Sequence, residues 1–278
     1  MKLKVKSFNL KDTVTCGQIF RYIEEKDNSY TILLPDRVIN IKQENELLYV
    51  ESNNIDNLEK VIKNYFDLDR DYEKINKKIK SYNTEFSEII DSSIGFKMIH
   101  QEPFETIIEY IISANNSVPS IRNSLNLIAN KYGKKIMFKN KEYYLFPNYG
   151  DLKNVSVEEF RSFKVGFRDK YLYNIIQSLN NKELDLDIIN KLNTSDSLEL
   201  LMSYPGIGPK VASCILLFAY QKFDVFPIDT WVKKYMKENH NISNEKNIRE
   251  YMVNTYNECC GIIIQYIFNY NRNKLSKK

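Results

Sequence analysis

The chain has 278 residues, of which 43% are hydrophobic and 27% charged, and its formal net charge is +4. This length predicts about two domains and a core large enough to fold without disulfides or a structural metal. The composition excludes a wholly disordered chain. The mildly positive charge permits a nucleic-acid partner but does not require one.

Cysteines and histidines, which bind zinc and iron, are few and badly spaced. No two of the four cysteines form a C-x-x-C pair, and the only histidines are His100 and His240. A zinc site and an iron–sulfur cluster are therefore not expected, and we predict neither a metal nor a cofactor. The start MKLKVK lacks the apolar stretch of a signal peptide, and no apolar run is long enough to span a membrane. We expect a reduced, soluble, cytoplasmic protein with no membrane partner.

The first fifty residues predict short antiparallel strands. The runs are rich in β-branched and aromatic residues, and turn formers such as Pro35 and Asp36 separate them. The predicted strands are residues 29–34, 37–42 and 47–51, with an edge strand around Leu3, Val5 and Phe8.

From Ile55 onward the apolar residues recur at helical spacing. Ser117 is predicted to cap a helix that Gly133 ends, and residues 271–278 are predicted to form a polar tail. The predicted fold class is α+β. A small N-terminal antiparallel sheet domain with a flanking helix occupies residues 1–90, and an all-helical domain occupies residues 91–278.

The sequence YPGIGPK predicts a helix–hairpin–helix motif at about residues 195–220. A first helix, capped within residues 194–196, ends before a turn that contains Gly206 and Gly208, and Pro209 begins the second helix. Glycines allow another backbone to come close, and the N–H groups at a helix start favour an anion such as a DNA phosphate. The same pattern also fits a plain turn between two core helices.

Two side chains that follow the turn in the sequence are of types that can catalyse a reaction. Lys210 lies at the start of the second helix, and Asp229 follows the sequence Phe-Pro-Ile. Cleaving a base from deoxyribose builds positive charge on the sugar, which a fixed carboxylate stabilises, while a deprotonated amine can attack the sugar carbon and form an imine. Taken singly, Lys210 fits a solvated lysine and Asp229 an ordinary N-cap. Only the order of hairpin, lysine and Pro-x-Asp is specific.

Further segments match a known family. They are Gly17-Gln18-Ile19-Phe20-Arg21, Tyr65-Phe66-Asp67-Leu68-Asp69, Gln101-Glu102-Pro103, Ser113-Ala114-Asn115-Asn116, Phe146-Pro147 and Gly166-Phe167-Arg168. With the hairpin, they make nearly the whole chain resemble the bacterial, clostridial-type 8-oxoguanine DNA glycosylase/AP lyases of the helix–hairpin–helix superfamily. The resemblance implies a bifunctional repair enzyme that binds damaged double-stranded DNA as a monomer, at the nucleoid when acting. It flips 8-oxoguanine out of the duplex, excises it and cuts the strand by β-elimination.

The resemblance also implies roles at the reacting base. Lys210 matches the nucleophilic lysine and Asp229 the essential aspartate. The Gly17 carbonyl would accept the N7 proton that 8-oxoguanine has and guanine lacks, so guanine would leave a buried acceptor unpaired. Cys214 and Phe268 would sandwich the base, and Gln265 is a candidate for reading its edge. As alternatives, Gly17 fits a plain turn, and Cys214 and Phe268 fit core packing.

On the DNA surface the resemblance places Asn115 near the orphaned partner base and Phe167 and Arg168 at the gap in the opposite strand. Gly206 and Gly208 would contact the DNA backbone. As an alternative, Asn115 fits a helix end.

The sequence departs from the family at three positions. Ile264 stands where a glutamine usually reads the base, although Gln265 follows it and can share a face with Phe268. Ser120 stands where eukaryotic-type members have an arginine that reads the opposite cytosine, which predicts a relaxed preference for cytosine. Trp231 stands where family members often have a histidine, two residues after the aspartate.

Two other functions fit parts of the pattern. An alkylpurine or other-lesion glycosylase of the same superfamily would have the hairpin and the aspartate, but Lys210 argues against it. A non-catalytic helix–hairpin–helix DNA-binding protein would have the hairpin alone, and replacing Lys210 would then change no activity.

Overall fold

The computed structural model describes residues 1–275 and consists of an antiparallel sheet followed by a mainly helical part. The five-stranded sheet has the order β1-β5-β4-β3-β2, and β6 pairs with β7 separately. The strands are β1 (Lys2–Lys4), β2 (Tyr22–Glu24), β3 (Tyr30–Leu33), β4 (Val38–Glu44), β5 (Leu47–Ser52), β6 (Lys135–Phe138) and β7 (Lys141–Tyr144).

The helices form the rest of the framework. They are α1 (Leu10–Thr15), α2 (Leu58–Tyr65), α3 (Tyr72–Tyr82), α4 (Ser87–Ser92), α5 (Pro103–Ser113), α6 (Val118–Tyr132), α7 (Val157–Ser162), α8 (Asp169–Asn180), α9 (Leu186–Lys191), α10 (Thr194–Met202), α11 (Pro209–Tyr220), α12 (Thr230–His240), α13 (Glu245–Tyr256) and α14 (Cys260–Leu275). Short 3₁₀ turns span Gly166–Arg168 and Asn257–Cys259.

The three central strands form where the alternating runs predicted them, whereas the edge strand β1 ends at Lys4, before Val5 and Phe8. Ile41 of β4 lies opposite Val50 of β5, and both side chains are buried, because inward and outward positions alternate along a strand. The sequence analysis missed β2, whose three residues are too few to show alternation, and it missed the short helix α1.

The α+β fold class is confirmed, with one addition to the predicted all-helical part. The hairpin β6–β7 packs against the sheet through a small apolar cluster of Phe138, Tyr143 and Leu145 with Val38 of β4. Gly133 ends α6 as predicted, and a Cβ there would lie 1.9 Å from the carbonyl oxygen of Leu145. Only glycine therefore lets the chain return so close to the end of α6.

The apolar side chains form two large separate clusters. One joins the sheet to α2, and the other fills the space between the helices. Ile79, Phe86 and Ile89 belong to the helical core although they precede residue 90. The domain division after residue 90 stays a prediction.

The end of the chain differs from the predicted polar tail. Helix α14 continues to Leu275, so residues 271–275 are helical, and residues 276–278 lie outside the described part. Within residues 1–275 no helix combines the length and apolar character needed to cross a membrane.

Candidate active site

The predicted helix–hairpin–helix motif is α10, a turn and α11. Asn193 rather than residues 194–196 caps α10, since its Oδ1 accepts a hydrogen bond from the Asp196 backbone N–H at 2.9 Å. Pro209 begins α11 as predicted.

The two hairpin glycines serve different purposes. Gly206 has φ +92°, and a Cβ there would lie 2.5 Å from Cγ of Tyr171, so both conformation and packing require glycine. Gly208 is exposed, has φ −86°, and has no atom within 4 Å of the place a Cβ would take. The surface at Gly208 is therefore open to a group such as a phosphate.

A cavity of about 270 Å³ lies between the end of α1 and helices α5, α6, α11, α12 and α14. Six of the predicted site residues line it together: Gly17, Lys210, Cys214, Asp229, Gln265 and Phe268. They come from four separate segments of the chain, so their convergence is a property of the fold.

Lys210 extends its amine along the cavity wall. Its side chain is half-buried, with Nζ 5.5 Å from the centroid of the Tyr110 ring. Tyr110 in turn stacks on Phe218 of α11, with ring centroids 5.5 Å apart. Within residues 1–275 no hydrogen bond or ion pair engages Nζ, so the amine is available to a ligand.

Asp229 combines a structural contact with a place in the cavity. Its Oδ1 accepts a hydrogen bond from the Val232 backbone N–H at 2.8 Å and caps α12. This contact confirms the N-cap interpretation. Oδ2 has no hydrogen-bond partner within the described chain, so the capping bond orients the carboxylate and leaves one oxygen free.

Cys214 lies one helical turn after Lys210 on the same face of α11. Burial raises the pKa of the Cys214 thiol to about 11, although nearby Lys210 opposes the rise. At neutral pH the sulfur is therefore an uncharged wall of the cavity rather than a competing nucleophile.

Gly17 lies against the ring of Phe268 at the cavity wall. Gly17 has φ +87°, and a Cβ there would lie 3.4 Å from Cε1 of the half-buried Phe268 ring. Ile264 and Gln265, one turn earlier on α14, both line the cavity. Gln265 is only 8% exposed, and its amide has no hydrogen-bond partner among residues 1–275. A ligand can therefore satisfy that amide.

The predicted DNA-surface residues lie outside this cavity. Phe167 is 61% exposed in the turn Gly166–Arg168, edge-on to Tyr171 at 6.3 Å between ring centroids. Because Tyr171 also packs against Gly206, Phe167 and the hairpin share one surface. Asn115 is exposed and has φ +51°.

Arg168 occupies a different environment from the one predicted. Its guanidinium is buried and donates to the carbonyl oxygens of Ala114 (3.0 Å), Asn115 (3.1 Å) and Val165 (2.9 Å). In this structure Arg168 therefore fixes the turn that carries Asn115. Its predicted contact with DNA stays a prediction.

Several lining residues were not predicted, and they include Phe20, Tyr110, Ser113, Asn116, Phe218 and Pro227. Phe20 and Asn116 lie in segments already singled out, whereas Tyr110 and Phe218 sit in apolar helices and look like core. The side chain of Trp231 lies outside the described part of the structure. The residues described contain no group of three or more metal-binding side chains placed to hold an ion.

Comparisons with known proteins identify relatives of the whole chain. The family model for the N-terminal domain of 8-oxoguanine DNA glycosylase matches residues 1–107. A probable N-glycosylase/DNA lyase from Methanothermobacter thermautotrophicus is 30% identical over 237 residues, covering 77% of this chain and 75% of that protein. An N-glycosylase/DNA lyase from Saccharomyces cerevisiae is 29% identical, covering 89% of this chain and 72% of that protein.

A solved structure is similar over its whole length. It is an 8-oxoguanine glycosylase/lyase from Clostridium acetobutylicum in complex with double-stranded DNA containing cytosine opposite 8-oxoguanine. It is 34% identical, with a TM-score of 0.92 over 99% of this chain and 98% of that chain.

Proposed function

Because the chain belongs to the 8-oxoguanine DNA glycosylase family, we propose that it excises 8-oxoguanine from damaged double-stranded DNA and then cuts the strand as an AP lyase. One observation supports this above all: an unpaired lysine amine and a fixed carboxylate line a single cavity, Lys210 from α11 and Asp229 from the start of α12.

DNA binding is assigned to the surface that carries Gly206, Gly208, Phe167 and Asn115. The open backbone at Gly208, just before the start of α11, suits a phosphate. The exposed Phe167 ring can fill the gap that a flipped nucleotide leaves in the duplex. Arg168 supports this surface by holding the turn of Asn115.

The extruded base is placed in the cavity between Cys214 and Phe268, which both line it. The Gly17 carbonyl accepts the N7 proton of 8-oxoguanine, and guanine, which lacks that proton, leaves the carbonyl unpaired. Once the bound base covers the exposed Gly17, an unpaired acceptor costs about 1–3 kcal/mol, which favours the lesion. The free amide of Gln265 is the second group that can read the base edge.

The chemistry starts with the neutral amine of Lys210. Its nitrogen bonds to the sugar C1′ as the bond from C1′ to the base nitrogen breaks, and the base leaves with a proton. Asp229 stabilises the positive charge that builds on the sugar. The Lys210 nitrogen gives up two protons, one matched by the proton on the departing base and one passing to the ring oxygen O4′ as the C1′–O4′ bond breaks, so that an imine joins Lys210 to C1′. Loss of a C2′ proton then expels the 3′ phosphate, and water releases the enzyme.

We assign no cofactor to these steps. The enzyme is proposed to act as a monomer on the bacterial nucleoid in the cytoplasm. The serine at position 120 predicts that excision depends only weakly on the base opposite the lesion.

Strand cleavage of duplexes containing 8-oxoguanine tests the proposal. The wild-type protein is expected to cut the lesion strand opposite each of the four bases and to leave an undamaged duplex intact. Lys210→Gln removes the nucleophile and should abolish cleavage, whereas Lys60→Gln, on the exposed face of α2, should retain it. Unchanged cleavage by Lys210→Gln, or cleavage of other lesions alone, would refute the proposal.

A further inference from the structure

The residue that follows Gly17 is held unusually firmly. The Gln18 side chain is fully buried. Its Oε1 accepts a hydrogen bond from the Ile99 backbone N–H at 2.9 Å, and its Nε2 donates to the carbonyl oxygens of Thr13 (3.2 Å) and Lys97 (2.9 Å). Because the oxygen faces an N–H and the nitrogen faces two carbonyls, only one orientation of the amide fits.

These bonds fix the peptide that carries the Gly17 carbonyl. That carbonyl and the nitrogen and Cα of Gln18 lie in one rigid peptide plane. Gly17 itself, at φ +87°, has the broad backbone freedom of glycine. The anchor at Gln18 therefore limits where the carbonyl points.

A second contact connects Gln18, through its own carbonyl in the next peptide, to the helix of the nucleophile. The backbone carbonyl of Gln18 accepts a hydrogen bond from Gln101 Nε2 at 2.7 Å and a longer one from the Tyr110 hydroxyl at 3.5 Å. The backbone N–H of Gln101 donates to the carbonyl oxygen of Phe218 on α11 at 2.8 Å. Gln101 thus bridges the Gly17 turn to the helix that begins beside Lys210.

We propose that Gln101, acting with Gln18, is a positioning residue that sets the Gly17 carbonyl relative to Lys210 and so determines how well the enzyme recognises 8-oxoguanine. This inference rests on the proposed function. Gln101 does not line the cavity and acts through its neighbours. A misplaced carbonyl weakens the bond to the N7 proton, whereas an abasic site has no base for Gly17 to read.

The inference predicts that a change at Gln101 slows excision of 8-oxoguanine but not cleavage of an abasic site. Gln101→Met keeps the length of the side chain and removes the donor to the Gln18 carbonyl. Single-turnover excision of 8-oxoguanine is expected to fall roughly tenfold, the upper end of what one hydrogen bond contributes. Cleavage of a preformed abasic site is expected to stay within about twofold of wild type, because that reaction needs Lys210 but no base recognition.

Two further variants complete the experiment. Gln177→Met is the matched control, because Gln177 donates one hydrogen bond of 2.8 Å to the Lys153 carbonyl away from the cavity, and both reactions should stay unchanged. Gln101→Asn keeps a shorter amide and should give the same selective loss to a smaller degree, which preserves the test if Gln101→Met folds poorly.

Each outcome has one meaning. A selective loss of base excision supports the positioning role. An equal loss in both reactions, or no loss in either, overturns it. If the wild-type protein itself excises no 8-oxoguanine, the proposed function fails instead, and the two failures remain distinguishable.

Discussion

The two hairpin glycines allow a sharp test, because alanine at each should affect a different property. At Gly206, alanine would adopt φ +92°, which costs about 1–2 kcal/mol, and its Cβ would lie 2.5–2.7 Å from atoms of Tyr171. Moving that ring adds about 1–3 kcal/mol, the usual cost of overpacking. Gly206→Ala should therefore lower the free energy of unfolding by about 2–5 kcal/mol.

At Gly208 the expectation is reversed. Alanine meets no atom within 4 Å and keeps an ordinary φ of −86°. Alanine is a weaker N-cap than glycine, which destabilises the folded protein, but it also lowers the entropy of the unfolded chain, which stabilises the folded protein. The two effects oppose each other, so the free energy of unfolding should change by less than about 1 kcal/mol. The methyl group would, however, occupy the space proposed for a DNA phosphate and should weaken DNA binding.

Urea unfolding gives the free energy of unfolding for both variants, and fluorescence anisotropy with a labelled duplex at one fixed salt concentration gives the affinity. The account predicts a destabilised Gly206→Ala and a stable, weakly binding Gly208→Ala. A Gly206→Ala protein with the wild-type urea midpoint would refute the packing argument. Wild-type DNA affinity for Gly208→Ala would refute the phosphate site.

Two other changes have expected outcomes. Burial, reinforced by Glu105, raises the pKa of Glu109 well above its usual range, and its Oε2 has no hydrogen-bond partner. The folded protein therefore loses stability as the pH rises from about 4.3, and Glu109→Gln should stabilise it by about 1–3 kcal/mol at pH 8. Urea unfolding showing no gain would contradict this. Phe167→Ala removes a mostly exposed ring with one edge contact to Tyr171, so it should change the free energy of unfolding by no more than about 1 kcal/mol. It should lower DNA affinity roughly tenfold, from lost stacking of about 1–3 kcal/mol, and unchanged anisotropy titrations would count against it.

The sequence predicted those parts of the site that depend on local order. The hairpin and the start of α11 follow from glycine and proline at fixed spacing, and the order of Lys210 and Asp229 along the chain was what suggested that they act at one site. Gly17 and Phe268 stand at opposite ends of the chain, and only the family resemblance connected them before the fold did.

Other features depend on tertiary contacts that no local pattern carries. Tyr110 lies in an apolar helix, so the sequence predicts a core residue. In the fold its ring stacks on Phe218 and lies close to the Lys210 amine, which makes it part of the cavity wall. From the sequence Arg168 is expected to be a surface cation, but its guanidinium donates hydrogen bonds to three backbone carbonyls. The strand β2 is too short for its alternation to be recognised.

The central claim is that the amine of Lys210 forms a covalent bond with the sugar of the lesion. Borohydride reduces an imine to a stable amine, so it should trap wild-type protein on an 8-oxoguanine duplex, and mass spectrometry of the digested adduct should place the sugar on Lys210. Lys210→Gln should give no adduct. Trapping at a different lysine, or strand cleavage by the wild-type protein without any trapped adduct, would contradict the account.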